Sequence, residues 1–204
     1  MVNFTRKPQY TYEDLLEIIR LLRSPEGCPW DKVQTHGSIR RGLLEESYEA
    51  AEAIDLDSAD MLREELGDVL MQVVFHADIE RERGRFTMDD VVDGVVKKLL
   101  FRHPHVFGDV KADTAGQVSE NWEQLKLREK GGNKSVLSGV PAALPSLIKA
   151  YRIQDKARNV GFDWEEREQV WDKVKEEIQE FQAEVAHMDK QKAEEEFGDV
   201  MFSL

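Results

Sequence analysis

Apolar residues recur three and four positions apart through most of this chain, the period of helices that bury one face. After Thr11, a capping residue followed by Glu13 and Asp14, the series Leu15, Leu16, Ile18, Ile19, Leu21 and Leu22 predicts a first helix that Ser24-Pro25 ends. A second helix runs from a cap at Ser38 to about Ile54. Asp55 to Ser58 turn the chain into a third, which Gly84 stops just after Arg83. In the third helix Leu62, Leu66, Val69, Leu70, Val73 and Val74 are the expected buried stripe. In a fourth, from Met88 to Leu100, Val91, Val92, Val95, Val96 and Leu99 are expected to face inward. Arg102 to Gly108 breaks the pattern, residues 109 to 119 read as exposed loop, and Glu120 to Lys130 reads as a short helix carrying Trp122. Gly131-Gly132-Asn133-Lys134-Ser135, prolonged by Pro141 and Pro145, is the clearest linker, and Leu144 to Asn159 resumes helix. The expected fold class is all-α, with a helical domain over 1–130, a linker over 131–145 and a second helical domain over 146–204.

The polar positions carry a second pattern. On the second helix Glu45, Glu46 and Glu49 converge, and on the third Glu65 and Asp68 do. The second half repeats this. Glu176-Glu177-Ile178-Gln179-Glu180 answers Glu45-Glu46-Ser47-Tyr48-Glu49, and Glu195-Glu196-Phe197-Gly198-Asp199-Val200 answers Glu64-Glu65-Leu66-Gly67-Asp68-Val69. The spacing is kept, since 16 positions separate Glu49 from Glu65 (65 − 49) and also Glu180 from Glu196 (196 − 180). One such set could arise by chance on acidic helix faces, but recurrence in register argues for a duplicated unit. Other acids, such as Glu52, Glu80 and Glu184, are expected to lie on solvated faces.

Charge decides how those carboxylates can be used. With 28 Lys+Arg against 41 Asp+Glu over 204 residues, the formal net charge is −13, so the surface repels nucleic-acid backbones and anionic membranes. A polyanionic substrate would need metal. Four or five carboxylates facing one another across a helical hairpin are costly unless a hard cation neutralises them, and oxygen-only donors suit Mg²⁺ or Mn²⁺. No histidine stands three positions after these glutamates, as a di-iron bundle would require. Such a cation keeps waters and takes substrate phosphates, which points to phosphoryl chemistry. The single Cys28 excludes an intramolecular disulfide framework, and the absence of a long apolar run or signal-like start leads us to expect a soluble cytoplasmic protein.

Two further stretches carry side chains with chemical potential. The loop Gly27-Cys28-Pro29-Trp30-Asp31-Lys32-Val33-Gln34-Thr35-His36 can stack on and hydrogen-bond a nucleobase through Trp30 and Gln34, or its indole can simply pack over the end of the bundle. His103 and His105 form an H-x-H pair without the further Cys or His ligands that zinc needs, so structural histidines at a Pro turn are expected.

Taken together, these residues resemble the MazG nucleoside triphosphate pyrophosphohydrolases in their tandem form. The resemblance covers nearly the whole chain. It is carried by Gly27-Cys28-Pro29-Trp30-Asp31-Lys32 with Gln34-Thr35, the paired E-x-x-E and E-x-x-D motifs, Arg102-His103-Pro104-His105-Val106-Phe107, and Asn159-Val160-Gly161-Phe162-Asp163-Trp164. It implies two similar all-α helical-bundle repeats, a homodimer or higher homo-oligomer, and Mg²⁺-dependent cleavage of nucleoside triphosphates to NMP and pyrophosphate with broad specificity, in nucleotide-pool house-cleaning or regulation. Carried over by position, the metal ligands are Glu46, Glu49, Glu65 and Asp68, and Glu177, Glu180, Glu196 and Asp199, with Glu45 or Glu176 orienting water. Lys173 and Lys192, each four before an acid of the second set, either pair with it or meet phosphate; Gly42 and Met61 stand at the corresponding first-half positions. The lysines favour the second half as the main catalytic site. Set against the family, the last helix ends early at Leu204. The competing expectations are a catalytically weak acidic module that binds metal or a basic protein, and a dedicated dUTP or dCTP hydrolase.

Overall fold

The computed structural model describes residues 2–110, 114, 116–118, 122, 125 and 135–204. These divide into two compact units, residues 1–118 and 119–204. Every regular element among the described residues is helical. Residues 131–134 of the linker expected over 131–145, and most of the short helix expected over 120–130, lie outside the described residues. Residues 116–118, expected as loop, are helical.

In the first unit, helix α1 (Tyr12–Arg23) begins at a capping box in which the Asp14 carboxylate accepts from the Thr11 amide at 2.9 Å. After a 3₁₀ turn, Asp31–Val33, come α2 (His36–Asp55), α3 (Ala59–Glu82), α4 (Met88–Arg102) and the single turn α5 (Pro104–Phe107). Helix α2 starts earlier than its apolar pattern suggests. Thr35 is the cap, and Ser38 is the third helical residue, whose hydroxyl closes the box by accepting from the Thr35 amide at 2.9 Å.

The core of this unit is Ile19, Ile39, Val74, Phe75 and Ile79, with Leu15, Leu16, Leu22, Met71 and Met88 packed against it. It sits where α1 covers the C-terminal half of α3, and α1 has only 12 residues to cover with. This corrects two expectations. Of the stripe on α3 only Val74 is buried; Leu66 and Leu70 are exposed and the other three half-buried. On α4, Val91, Val92, Val95, Val96 and Leu99 are all exposed; among the described residues α4 meets α3 and α5, over small margins.

The second unit contains α6 (Ser146–Arg158), α7 (Arg167–Ala186) and α8 (Lys190–Ser203). Helix α7 pairs with α8 as α2 pairs with α3, and α6 packs on α8 as α1 packs on α3. The duplication extends to the turns. Capping boxes at Thr35 and Glu166 open the two 20-residue helices. Two residues past the end of each of those helices stands a left-handed residue, Asp57 (φ 49°) or Met188 (φ 59°). Ser58 and Asp189 then cap the returning helices. Each equivalence is a shift of 131 positions (57 to 188, for example). The chain is thus two similar helical repeats, each presenting one long antiparallel hairpin.

Candidate metal centres on the two hairpins

Residues three apart share a helix face, so α2 offers Glu46 and Glu49 together while α3 offers Glu65 and Asp68. The tight turn at Asp57 folds α3 back along α2, and carboxylate oxygens of Glu46, Glu49 and Glu65 come within 4.8 Å of one another. Asp68 is outside that set of three but acts on it. Glu46 is held above the ordinary carboxylate range by lost hydration first, then by the charges of Asp68 and Glu49. Glu65 is raised by lost hydration and then by Glu49, Glu64 and Asp68. Among the described residues no lysine or arginine forms an ion pair with any of these four. The unrelieved repulsion and the oxygen-only donors fit a hard divalent cation.

The second hairpin gathers Glu177, Glu196 and Asp199, again with carboxylate oxygens within 4.8 Å of one another. Glu180 is outside this set, yet after lost hydration its charge is the main influence raising Glu196, ahead of Asp199 and Glu177. Here a cation of the chain itself is present. The Lys173 ammonium, one turn back on α7, lies 2.8 Å from Glu177 and 3.2 Å from Glu176. Its pKa is raised, by the hydrogen bond to Glu177 first and that to Glu176 next. Lys192 behaves differently, and the acid it approaches is its own cap Asp189, at 4.0 Å.

The other expected site residues are placed as follows. Glu45 is exposed and accepts from Arg41 Nε at 2.8 Å. Trp30 is 63 % exposed, which removes the alternative of an indole packed over the bundle end. The Gln34 side chain is engaged locally, donating to the Trp30 carbonyl at 2.9 Å and accepting from the Ser38 hydroxyl at 2.6 Å. Both stand at the start of α2, and Glu46 lies ten helical residues beyond His36, about 15 Å of rise away. His103 Nδ1 hydrogen-bonds the Leu99 carbonyl at 2.6 Å, a structural use of the ring. Among the described residues the only groups gathered closely enough to hold a metal are the two carboxylate sets.

One expectation about Glu80 is overturned. It is 4 % exposed and paired with Arg83, Arg85 and His36; the hydrogen bond from Arg85 first, and that from His36 next, hold its pKa at about 2. His36 in turn stacks on His76 with ring centroids 5.0 Å apart and the two Nδ1 atoms 2.7 Å apart, so one of them donates and the other accepts. This polar cluster ties the first turn of α2 to the end of α3. No spacing rule reveals it, since its members are 40 and 44 positions apart; the surplus of arginines after Glu80 is the one local signal.

Known proteins are similar to this chain in sequence. The family described as the MazG nucleotide pyrophosphohydrolase domain matches residues 34–107, from the cap of α2 through α5. Over 194 residues the chain is 50% identical to the nucleoside triphosphate pyrophosphohydrolase/pyrophosphatase MazG of Thermotoga maritima, covering 95% of this chain and 73% of that protein. It is 46% identical over 194 residues to a nucleoside triphosphate pyrophosphohydrolase of Escherichia coli K12, covering 93% and 74%. A nucleoside triphosphate pyrophosphohydrolase of Mycobacterium tuberculosis is 42% identical over 135 residues, covering 65% and 41%.

Proposed function

The chain belongs to the MazG family of nucleoside triphosphate pyrophosphohydrolases, and from that premise we propose that it hydrolyses nucleoside triphosphates between the α and β phosphates, with Mg²⁺ or in its place Mn²⁺, over a broad range of bases. The observation that carries this reading is the gathering of three carboxylates within 4.8 Å on each of two hairpins. Glu46, Glu49, Glu65 and Asp68 are the ligands of one site, and Glu177, Glu180, Glu196 and Asp199 those of the other. When bound, the cation supplies neutralisation of triphosphate charge and Lewis acidity toward the leaving pyrophosphate. The chain's own groups do the rest. Glu45 or Glu176 accepts a proton from the attacking water and orients it. At the second hairpin Lys173 and Lys192 meet phosphate oxygens; in the first unit Trp30 stacks on a base and Gln34 hydrogen-bonds it. These lysines make the second hairpin the main catalytic site, and the first binds metal or serves other nucleotides.

The net charge of −13 disfavours nucleic acid and anionic membranes as partners, and no described helix is long and apolar enough to cross a membrane. The exposed valines of α4 support a homodimer that covers them. Such an enzyme clears or regulates the nucleotide pool. The test is a panel of nucleoside triphosphates incubated with and without Mg²⁺, with products resolved by chromatography. NMP and pyrophosphate, formed only with the cation, are expected. Orthophosphate release, or binding without turnover as in an acidic docking module, would overturn the proposal.

A further inference from the structure

The two hairpins differ in one respect that bears on how they load. In the second, an ammonium already sits on the carboxylates: Lys173 Nζ is 2.8 Å from Glu177, which is 7 % exposed, and 3.2 Å from Glu176. In the first, the equivalent position is Gly42, 131 residues earlier, and no described cation pairs with Glu46, Glu49, Glu65 or Asp68. The space a side chain would need there is filled from α3, since a Cβ on Gly42 would meet the Gln72 amide nitrogen at 2.8 Å. The residue equivalent to Gln72 is Ser203, a smaller side chain whose hydroxyl is turned to the Val200 carbonyl at 2.9 Å. The pairs Gly42/Gln72 and Lys173/Ser203 are thus alternative fillings of one position in the repeat.

Resting on the reading of both clusters as divalent-cation sites, we propose that Lys173 is a tethered counter-cation that a divalent metal must displace from Glu177, so that the two hairpins load unequally. The first cluster is frustrated without metal and gains full relief on binding it. The second is partly neutralised in advance and binds the same ion more weakly. The displacement also has a direction. An ammonium released from Glu177 remains on the same helix turn, free for triphosphate oxygens, so metal and nucleotide favour each other at this site and not at the first. Lys173 is in this account a positioning residue for loading.

The experiment uses Mn²⁺ alone, titrated into the full chain and followed by calorimetry and by the paramagnetic resonance of free Mn²⁺. Two classes of site are expected, the tighter removed by Glu46→Gln with Glu49→Gln. Lys173→Met should tighten the weaker class about tenfold or more, the scale of one charge-assisted hydrogen bond lost from the competing state. Lys173→Arg, which keeps the charge, should leave it weak. The reciprocal graft, Gly42→Lys with Gln72→Ser, should weaken the tighter class. Unchanged or weakened binding in Lys173→Met, with the graft silent, overturns the inference while leaving the metal reading intact. Absence of Mn²⁺ binding by either cluster overturns both. Should Lys173→Met fold poorly by circular dichroism, the arginine variant and the graft decide the matter.

Discussion

Arg23 gives the most demanding test of how the first unit holds its parts together. Its side chain is 3% exposed at the end of α1 and is committed on every side. Nε and Nη2 grip the Glu82 carboxylate of α3 at 3.1 and 2.6 Å, and Nη1 donates to the Asp31 carbonyl at 2.8 Å and that of Gln34 at 3.4 Å. Asp78 lies 3.5 Å from Nε, and the guanidinium stands 5.0 Å above the Phe75 ring. Arg23→Met keeps an apolar stem of similar reach and removes every donor. Breaking a buried pair by deleting one partner costs about 3–5 kcal/mol. Glu82 is 37% exposed and regains water, and Arg81 still holds Asp78 at 2.6 Å, so the lower end, about 3 kcal/mol, is expected. Lysine cannot reproduce the fork, and Arg23→Lys should recover little. The assay is amide hydrogen exchange in the full chain, read on peptides from α1 and α3 of the variant against wild type. A loss of protection below about 1 kcal/mol, the scale of a surface ion pair, would refute the argument.

Other outcomes follow from the same structure. Without metal at neutral pH, Glu46→Gln should raise the melting temperature, because its carboxylate is raised by burial and by like charges; with Mg²⁺ the order should reverse as the variant loses metal stabilisation. Glu80 has a folded pKa of about 2, below its ordinary value, so the stability it contributes is present above about pH 4.5 and lost as pH falls toward 2. Acid titrations should therefore show a shallower loss in Glu80→Gln than in wild type over that window. His76, lowered by burial and by the His36 charge, adds a loss that begins as pH falls below its ordinary range. The homodimer proposed through α4 predicts that Val95→Asp lowers the mass in light scattering to that of a monomer, with helicity retained; an unchanged mass would contradict an interface on α4.

The carboxylate clusters of the candidate site are legible in the sequence because their spacing is periodic. Carboxylates three apart share a helix face, and their return in register in the second half marks both hairpins in the sequence. What escaped was of two kinds. Contacts between distant positions leave no period, so His36, His76 and Glu80 were invisible as a cluster, and Glu80 read as a solvated acid. Apolar spacing shows which face of a helix is to be covered but not by what, so the valines of α4 and Leu66 and Leu70 of α3, expected inside, lie on the surface of the chain. Helix starts were displaced for a local reason. Ser38 and Thr35 are both good caps, and reciprocity between them, with Thr35 outside and Ser38 inside, selects the earlier start. At spacing four, Lys173 and Lys192 looked alike, yet Asp189 at the cap of α8 draws the second away while no such acid competes for the first.

Pyrophosphate release is expected to depend on these paired carboxylates. The most direct measurement is the rate of pyrophosphate formation from a nucleoside triphosphate with Mg²⁺ for two variants of the full chain, Glu46→Gln with Glu49→Gln and Glu177→Gln with Glu180→Gln. Loss of about a hundredfold or more in the second variant, with the first variant retaining most of its rate, is the predicted result. Turnover untouched in both variants would contradict it.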